Sequence, residues 1–143
     1  MSRFTLAGLL RLRRLEEDQR ALELNTARER ESIGVARTRR IRNSLAETSV
    51  DPESFSSIAS IAATRATSAN LLAELAELDR AAAAEVELAA AEHAVAHGRT
   101  AGLEKLEERF IERTTAEELR AEQLALDDLS ARAWHRANGG DGS

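Results

Sequence analysis

The chain has 143 residues, of which 43% are hydrophobic but only 3% aromatic, with one proline and no cysteine. A composition dominated by Ala, Leu, Glu and Arg is typical of long helices and coiled coils, and it argues against a β-rich domain. The lack of cysteine excludes disulfides, thiolate nucleophiles and cysteine metal sites. The net charge of −5 conceals a basic segment, 1–47 at +4, and an acidic segment, 48–143 at −9. This asymmetry predicts two helices that attract one another along a shared seam.

The first predicted element is a helix over 4–47, where only Gly8 and Gly34 mildly disfavour helical structure. We expect its buried face to carry the apolar residues Leu15, Leu22, Ile33, Ile41 and Leu45. A turn at 48–51 follows, because Asp51 is a favourable N-cap and Pro52 suits the first position of the next helix.

The second predicted helix covers 52–137, and Asn138-Gly139-Gly140 ends it before a disordered polar tail, 138–143. Side chains at alternating spacings of three and four indicate one continuous seam. Its members are Leu72, Leu75, Asp79, Ala82, Val86, Ala89, His93, Ala96, Thr100, Leu103, Glu107 and Phe110. The two helices are therefore predicted to form one all-α, antiparallel coiled-coil hairpin with a longer second helix.

The unequal helix lengths leave part of the second helix without a partner. Folding back at 48–51 would place Leu45 near Ser54 and Leu6 near Ala94, so the first helix would end close to Gly98. The apolar residues beyond that point require another contact. Either the chain bends at Gly98 or Gly102 and returns as a third helix of a self-contained bundle, or the segment projects and binds another protein.

The sequence contains little indication of catalysis. His93 and His97 have a spacing of four, but no HExxH motif accompanies them, so a histidine in the helix seam is the favoured interpretation of His93. No glycine-rich phosphate loop and no catalytic carboxylate pair is recognisable, so we expect no enzyme, no cofactor and no metal. No apolar run is long enough for a transmembrane helix, and no targeting signal is apparent, so a soluble cytosolic protein is expected. The basic cluster at 37–42 leaves nucleic-acid binding as an alternative.

Several segments resemble the FliJ family, the small coiled-coil component of the bacterial flagellar protein-export apparatus. Arg3-Phe4-Thr5-Leu6, followed by Leu9-Leu10-Arg11-Leu12-Arg13-Arg14-Leu15-Glu16-Glu17-Asp18, is similar to the family's opening. Ile41-Arg42-Asn43-Ser44-Leu45 resembles a family segment near the turn, with isoleucine in place of an aromatic residue. Leu103-Glu104-Lys105-Leu106-Glu107-Glu108-Arg109, with Glu122-Gln123 and Leu126-Asp127-Asp128-Leu129, resembles the closing pattern.

The resemblance implies a non-catalytic stalk and adaptor whose ends enter the hexameric flagellar export ATPase and stimulate it. The other implied partners are the membrane export-gate protein and the export chaperones, at the cytoplasmic face of the membrane. It also favours projection of the second helix over a third helix. The implied ATPase-binding residues are Leu103, Leu106, Phe110, Leu124 and Leu129. The implied gate-binding residues, on both sides of the turn, are Arg37, Ile41, Leu45, Phe55, Ile58 and Ile61. The stalk protein of an injectisome shares this architecture and remains an alternative.

Overall fold

The fold, taken from a computed structural model, consists of two helices, and the structure describes residues 3–47 and 58–140. Helix α1 is Ala7–Glu47 and helix α2 is Ile58–Asn138, so α2 has 81 residues against 41 in α1. The helices are antiparallel and pack together as a hairpin. The predicted turn at 48–51 and the predicted helix start at Pro52 lie outside the described residues. Helix α2 ends at Asn138, beside the two glycines that predict a helix end.

The seam of α2 agrees with the predicted spacing. All twelve predicted positions from Leu72 to Phe110 are buried or half-buried, and most residues between them are exposed. The positions fall into two series with a spacing of seven residues, which is the repeat of a left-handed coiled coil. Small side chains such as Ala82, Ala89 and Ala96 let the two helix backbones approach closely.

The predicted face of α1 is only partly correct. Ile41 and Leu45 are half-buried as expected, but Leu15, Leu22 and Ile33 are exposed on the outer side of the helix. The true seam of α1 also follows a heptad spacing, and it combines leucine with small and charged residues. Its members are Leu10, Glu17, Leu24, Ala27, Glu31, Gly34, Thr38, Ile41 and Leu45. The partner helix covers the positions of α1 that follow the heptad spacing, so the buried residues of α1 are not always its most apolar ones.

The predicted pairing of the two helices is wrong by about seven residues at its midpoint. The residue numbers of opposed partners add to 114 at the Glu17–His97 contact and at the Phe4–Phe110 contact. The pairing midpoint therefore lies near residue 57, whereas the predicted turn places it near residue 50. As a result, the start of the chain lies beside Phe110 and not beside Ala94. Leu103, Leu106 and Phe110 consequently belong to the paired part of α2.

A polar contact lies within the seam of the unit Arg14–Gly98. The Thr38 hydroxyl is buried and donates a hydrogen bond of 2.8 Å to Asp79 Oδ2. Gly34 faces the same carboxylate, and a Cβ atom added there would lie 3.1 Å from Asp79 Oδ1. The missing side chain of Gly34 thus creates the room in which a carboxylate can occupy the interface between two closely packed helices.

Helix α2 continues without interruption through Gly98 and Gly102. The alternative in which the chain bends there and folds back as a third helix is therefore incorrect. Every described residue from Thr115 to Gly140 is exposed. The last part of α2 is the projecting segment that the longer second helix was expected to provide.

Candidate functional site

An aromatic pair lies where the start of the chain meets α2, within the unit that joins the first residues to α2 beyond Gly98. The Phe4 and Phe110 ring centroids are 5.6 Å apart with an interplanar angle of 50°, a tilted geometry that aromatic pairs prefer. The Phe4 carbonyl accepts a hydrogen bond of 3.2 Å from the Ala7 amide, which fixes the chain as it enters α1. Both rings are half-buried, so the pair packs within the seam and still exposes part of its surface.

Two grooves flank the aromatic pair. One groove, of about 270 Å³, is lined by Phe4, Leu6, Leu106, Arg109, Phe110 and Arg113. The other, of about 530 Å³, is lined by Arg3, Phe4, Ala7, Arg11, Glu107, Phe110 and Ile111. Leu6 and Leu106 are exposed. The result is an apolar surface bordered by arginines, and such a surface can bind a partner through apolar side chains and carboxylates together.

The five residues implied as ATPase-binding have different environments. Leu103 and Phe110 are half-buried in the seam, whereas Leu106, Leu124 and Leu129 are exposed. Leu106 and Leu124 are 18 residues apart, which is five helical turns, so they lie on the same side of α2. Leu129 is five residues beyond Leu124 and lies on a different side. The structure thus groups Leu106 with the aromatic pair and aligns Leu124 with it, but it does not form one surface from all five residues.

The predicted site residues include only Leu106 and Phe110 of this surface and omit the others, among them Phe4, Leu6, Arg109 and Arg113. The incorrect pairing explains the omission, since it placed the start of α1 beside Ala94. One signal in the sequence could have identified them. Phe4 is one of only four aromatic residues in the chain, and a large aromatic side chain at the first turn of a predicted helix indicates a packing contact there.

The described gate-binding residues implied by the resemblance belong to the unit Arg14–Gly98. Ile41 and Leu45 are half-buried on the seam face of α1, and Ile61 is half-buried on α2. Arg37 is exposed, and Ile58 is 87% exposed. Phe55 lies outside the described residues. Among the described members of this group, Arg37 and Ile58 are therefore the accessible ones.

Opposite charges meet across the seam in the unit Arg14–Gly98, as the division of charge predicts. Arg20 Nη1 lies 2.9 Å from Glu92 Oε2 across the seam and 2.9 Å from Glu23 Oε2 on its own helix. The hydrogen bond to Glu23, followed by the negative charges of Glu23 and Glu92, raises the pKa of Arg20 above its usual value. The side chains of Arg20 and Glu92 are both exposed, so this contact joins opposite charges of the two helices but contributes little to stability.

The histidines form a second contact between the helices. His97 Nδ1 lies 2.7 Å from Glu17 Oε1, and the ring of His97 stacks on that of His93 with centroids 6.3 Å apart. His93 is half-buried in the seam, which confirms the favoured interpretation of this residue. Among the described residues, no group of three or more His, Cys, Asp and Glu side chains has a geometry that could hold a metal ion.

A sequence model described as flagellar FliJ protein matches residues 1–139. The chain belongs to the FliJ family. No curated protein and no solved structure matches the chain. Membership of this family makes the chain a component of the flagellar protein-export apparatus. In the part of the chain that the structure describes, no helix is sufficiently long and apolar to cross a membrane.

Proposed function

We propose that this FliJ-family chain is a stalk and adaptor that inserts into the hexameric flagellar export ATPase and stimulates ATP hydrolysis. In this proposal it also links the ATPase to the membrane export gate and to export chaperones, at the cytoplasmic face of the membrane. The observation that supports it best is the exposed end of α2 from Thr115 to Asn138, which adjoins the surface around Phe4 and Phe110. A long helix with exposed leucines and no partner in the described chain is suited to insertion into the centre of a ring.

The proposed ATPase contact uses the implied residues according to their accessibility. Leu106 and Leu124 are exposed on one side of α2 and would contact the ATPase directly. Leu129 would contact a neighbouring part of the ring from another side of the helix. Leu103 and Phe110 would support the surface from within the seam. Substitution of Phe110 would therefore disturb the hairpin together with the contact, so Leu106 and Leu124 are the better residues to test.

The test of this proposal is ATP hydrolysis by the purified cognate export ATPase with and without the chain. We expect the wild-type chain to stimulate ATP hydrolysis. Stimulation by Leu106→Asp/Leu124→Asp should be roughly tenfold weaker, because each substitution places a charge in an apolar contact. Leu88→Asp is a matched control, since Leu88 is exposed on α2 to a similar degree as Leu124 but lies in the other unit. Hydrolysis and ring assembly that do not respond to the wild-type chain would refute the proposal.

The proposed gate contact has its own experiment. Ile58→Asp should weaken capture of the chain by the cytoplasmic domain of the export gate, because Ile58 is almost fully exposed. Ile41→Asp should instead reduce the thermal stability of the chain, since Ile41 is half-buried in the seam. Equal binding by wild type and Ile58→Asp would exclude Ile58 from the contact.

The alternatives can be separated from this proposal. A nucleic-acid-binding protein that uses the exposed arginines at 37–42 would bind generic DNA with a strong dependence on salt. Lack of DNA binding at low salt would eliminate it. An injectisome stalk protein would stimulate an injectisome ATPase in preference to the flagellar enzyme, so parallel hydrolysis assays with both ATPases decide between the two systems.

A further inference from the structure

The exposed end of α2 carries an apolar stripe that does not continue the seam. Beyond Thr114, the heptad positions that would extend the seam are occupied by Glu117, Ala121, Leu124, Asp128, Ala131 and His135. Three of the large apolar side chains beyond Thr114 lie on another side of the helix. Together with Ile111 and the small residue Ala133, they form a set that we call the outer stripe: Ile111, Leu119, Leu126, Leu129 and Ala133. At 3.6 residues per turn its members fall on one side of the helix, opposite Leu106 and Leu124, and the polar residues Thr115 and Glu122 lie among them.

Charged residues border the outer stripe in a distinct order. Along one flank, Glu118 comes first and Arg132 and Arg136 follow, whereas Glu122 lies within the stripe itself. In an antiparallel pair of helices, the same flank of each helix faces that of its partner. A two-fold axis near residue 127 would therefore place Glu118 opposite Arg136 twice, and would bring Glu122 of each copy to the level of Arg132 of the other. The flank is complementary to itself in the antiparallel orientation.

The same axis places the apolar residues together. Leu126 and Leu129 of both copies would surround the axis, and Leu119 would pack against the aliphatic stem of Arg136. The small side chain of Ala133 would let the helices approach closely on either side of this centre. In the single chain, Arg132 Nη2 is paired with Asp128 Oδ2 at 2.9 Å, an exposed contact that Arg132 can share with Glu122 of a second copy. Apolar contact and charge order thus favour the same arrangement.

We infer that the outer stripe is a self-association surface on which a second copy of this chain packs antiparallel, forming a two-fold dimer. This contact goes beyond the proposed function and uses a different side of α2 from Leu106 and Leu124, although it includes Leu129. The interface consists of one pair of helices along about six turns, which is small for a permanent complex. The dimer is therefore weak and reversible, with a Kd on the order of micromolar to tens of micromolar.

The test is the mass of the full chain in sedimentation equilibrium, over concentrations from about 1 µM to about 1 mM. The average mass should rise from 15.6 kDa towards twice that value. Leu126→Asp should remain monomeric throughout the series. Leu124→Asp is a closely matched control, since Leu124 is 64% exposed and Leu126 is 63% exposed, only two residues apart. It should dimerise like wild type because it lies on the opposite side of the helix.

Charge reversal tests the antiparallel orientation. Arg136→Glu alone and Glu118→Arg alone should each weaken the dimer about tenfold, because each occurs twice and replaces attraction with repulsion. The double variant Glu118→Arg/Arg136→Glu should restore association, since the charges are exchanged and remain complementary. Far-UV circular dichroism should show equal helicity in all variants.

Three results would overturn the inference: a wild-type chain that stays monomeric over the whole series, equal loss of dimer in Leu124→Asp and Leu126→Asp, or no restoration in the double variant. All three are measured on the chain alone. They are therefore independent of whether the chain stimulates the ATPase.

Discussion

The contact between Thr38 and Asp79 should contribute to stability and to the choice of register. Replacing Thr38 by Val keeps the shape of the side chain but removes the hydroxyl that donates to Asp79 Oδ2. The half-buried carboxylate then loses a hydrogen bond while the helix around it prevents full hydration. A hydrogen bond to a charged group contributes about 1.5–3 kcal/mol, and partial exposure of Asp79 places the expected loss near the lower limit, about 1.5 kcal/mol.

This loss is large enough to measure. For a chain of this size, about 1.5 kcal/mol corresponds to a decrease in Tm of roughly 4–6 °C, and to a lower urea midpoint with an unchanged slope. Far-UV circular dichroism during thermal and urea unfolding is a suitable assay. Replacing both partners, as in Thr38→Val/Asp79→Leu, should restore stability to near or above that of wild type, because no buried polar group is then unpaired.

The double variant Thr38→Val/Asp79→Leu should no longer favour one register of α2 against α1 over the others. A shift of α2 by one heptad would place Asp79 beside Ile41 or Ala27, where its carboxylate would have no donor from Thr38. With Asp79→Leu this penalty disappears, and alternative registers become accessible. Equal stability of wild type and Thr38→Val, or a double variant less stable than Thr38→Val, would refute this reasoning.

The glycines and the helix pairing provide further predictions. Gly98→Ala and Gly102→Ala should each stabilise the chain by up to about 1 kcal/mol in urea unfolding, because an added Cβ has no atom within 4 Å and alanine favours the helix. Gly34→Ala should show no such gain, since its Cβ would crowd Asp79, and the gain should reappear when Asp79 is also replaced by Ala. Equal effects at all three glycines would contradict the close approach at Gly34. Glu17→Cys/His97→Cys should be joined by a short thiol cross-linker, because these side chains are 2.7 Å apart and the chain contains no other cysteine. Efficient cross-linking of Glu17→Cys to a cysteine near residue 83 instead would support the pairing expected from a turn at 48–51.

The sequence predicted the helices and the α2 seam because both depend on local spacing. Alanine occupies many α2 seam positions, yet the alternation of three and four continues through them to Phe110. The α1 seam could not be predicted in the same way. Its charged members, such as Glu17 and Glu31, look like surface residues, whereas Leu15 and Leu22 look like core residues. Only the heptad spacing of the partner helix decides between these two faces.

The register of the two helices could not be predicted from the local sequence either. Asp51 and Pro52 predict a helix start, but they do not determine how many residues separate the two paired faces. An error of seven residues at the midpoint shifts each opposed position by about 14. That shift moved Phe4 away from Phe110 and removed Arg109 and Arg113 from the candidate site. Some residues of the site, such as Leu106 and Phe110, could therefore be recognised from the sequence. Which residues lie together in the site depends on the register of the two helices.

ATP hydrolysis by the cognate flagellar export ATPase at increasing concentrations of this chain tests the proposed stalk function most directly. We expect saturable stimulation by wild type and by Leu88→Asp, and strongly reduced stimulation by Leu106→Asp/Leu124→Asp at unchanged helicity. Hydrolysis that is the same without the chain, with wild type and with the double variant would contradict a stalk that acts on the ATPase through the exposed end of α2.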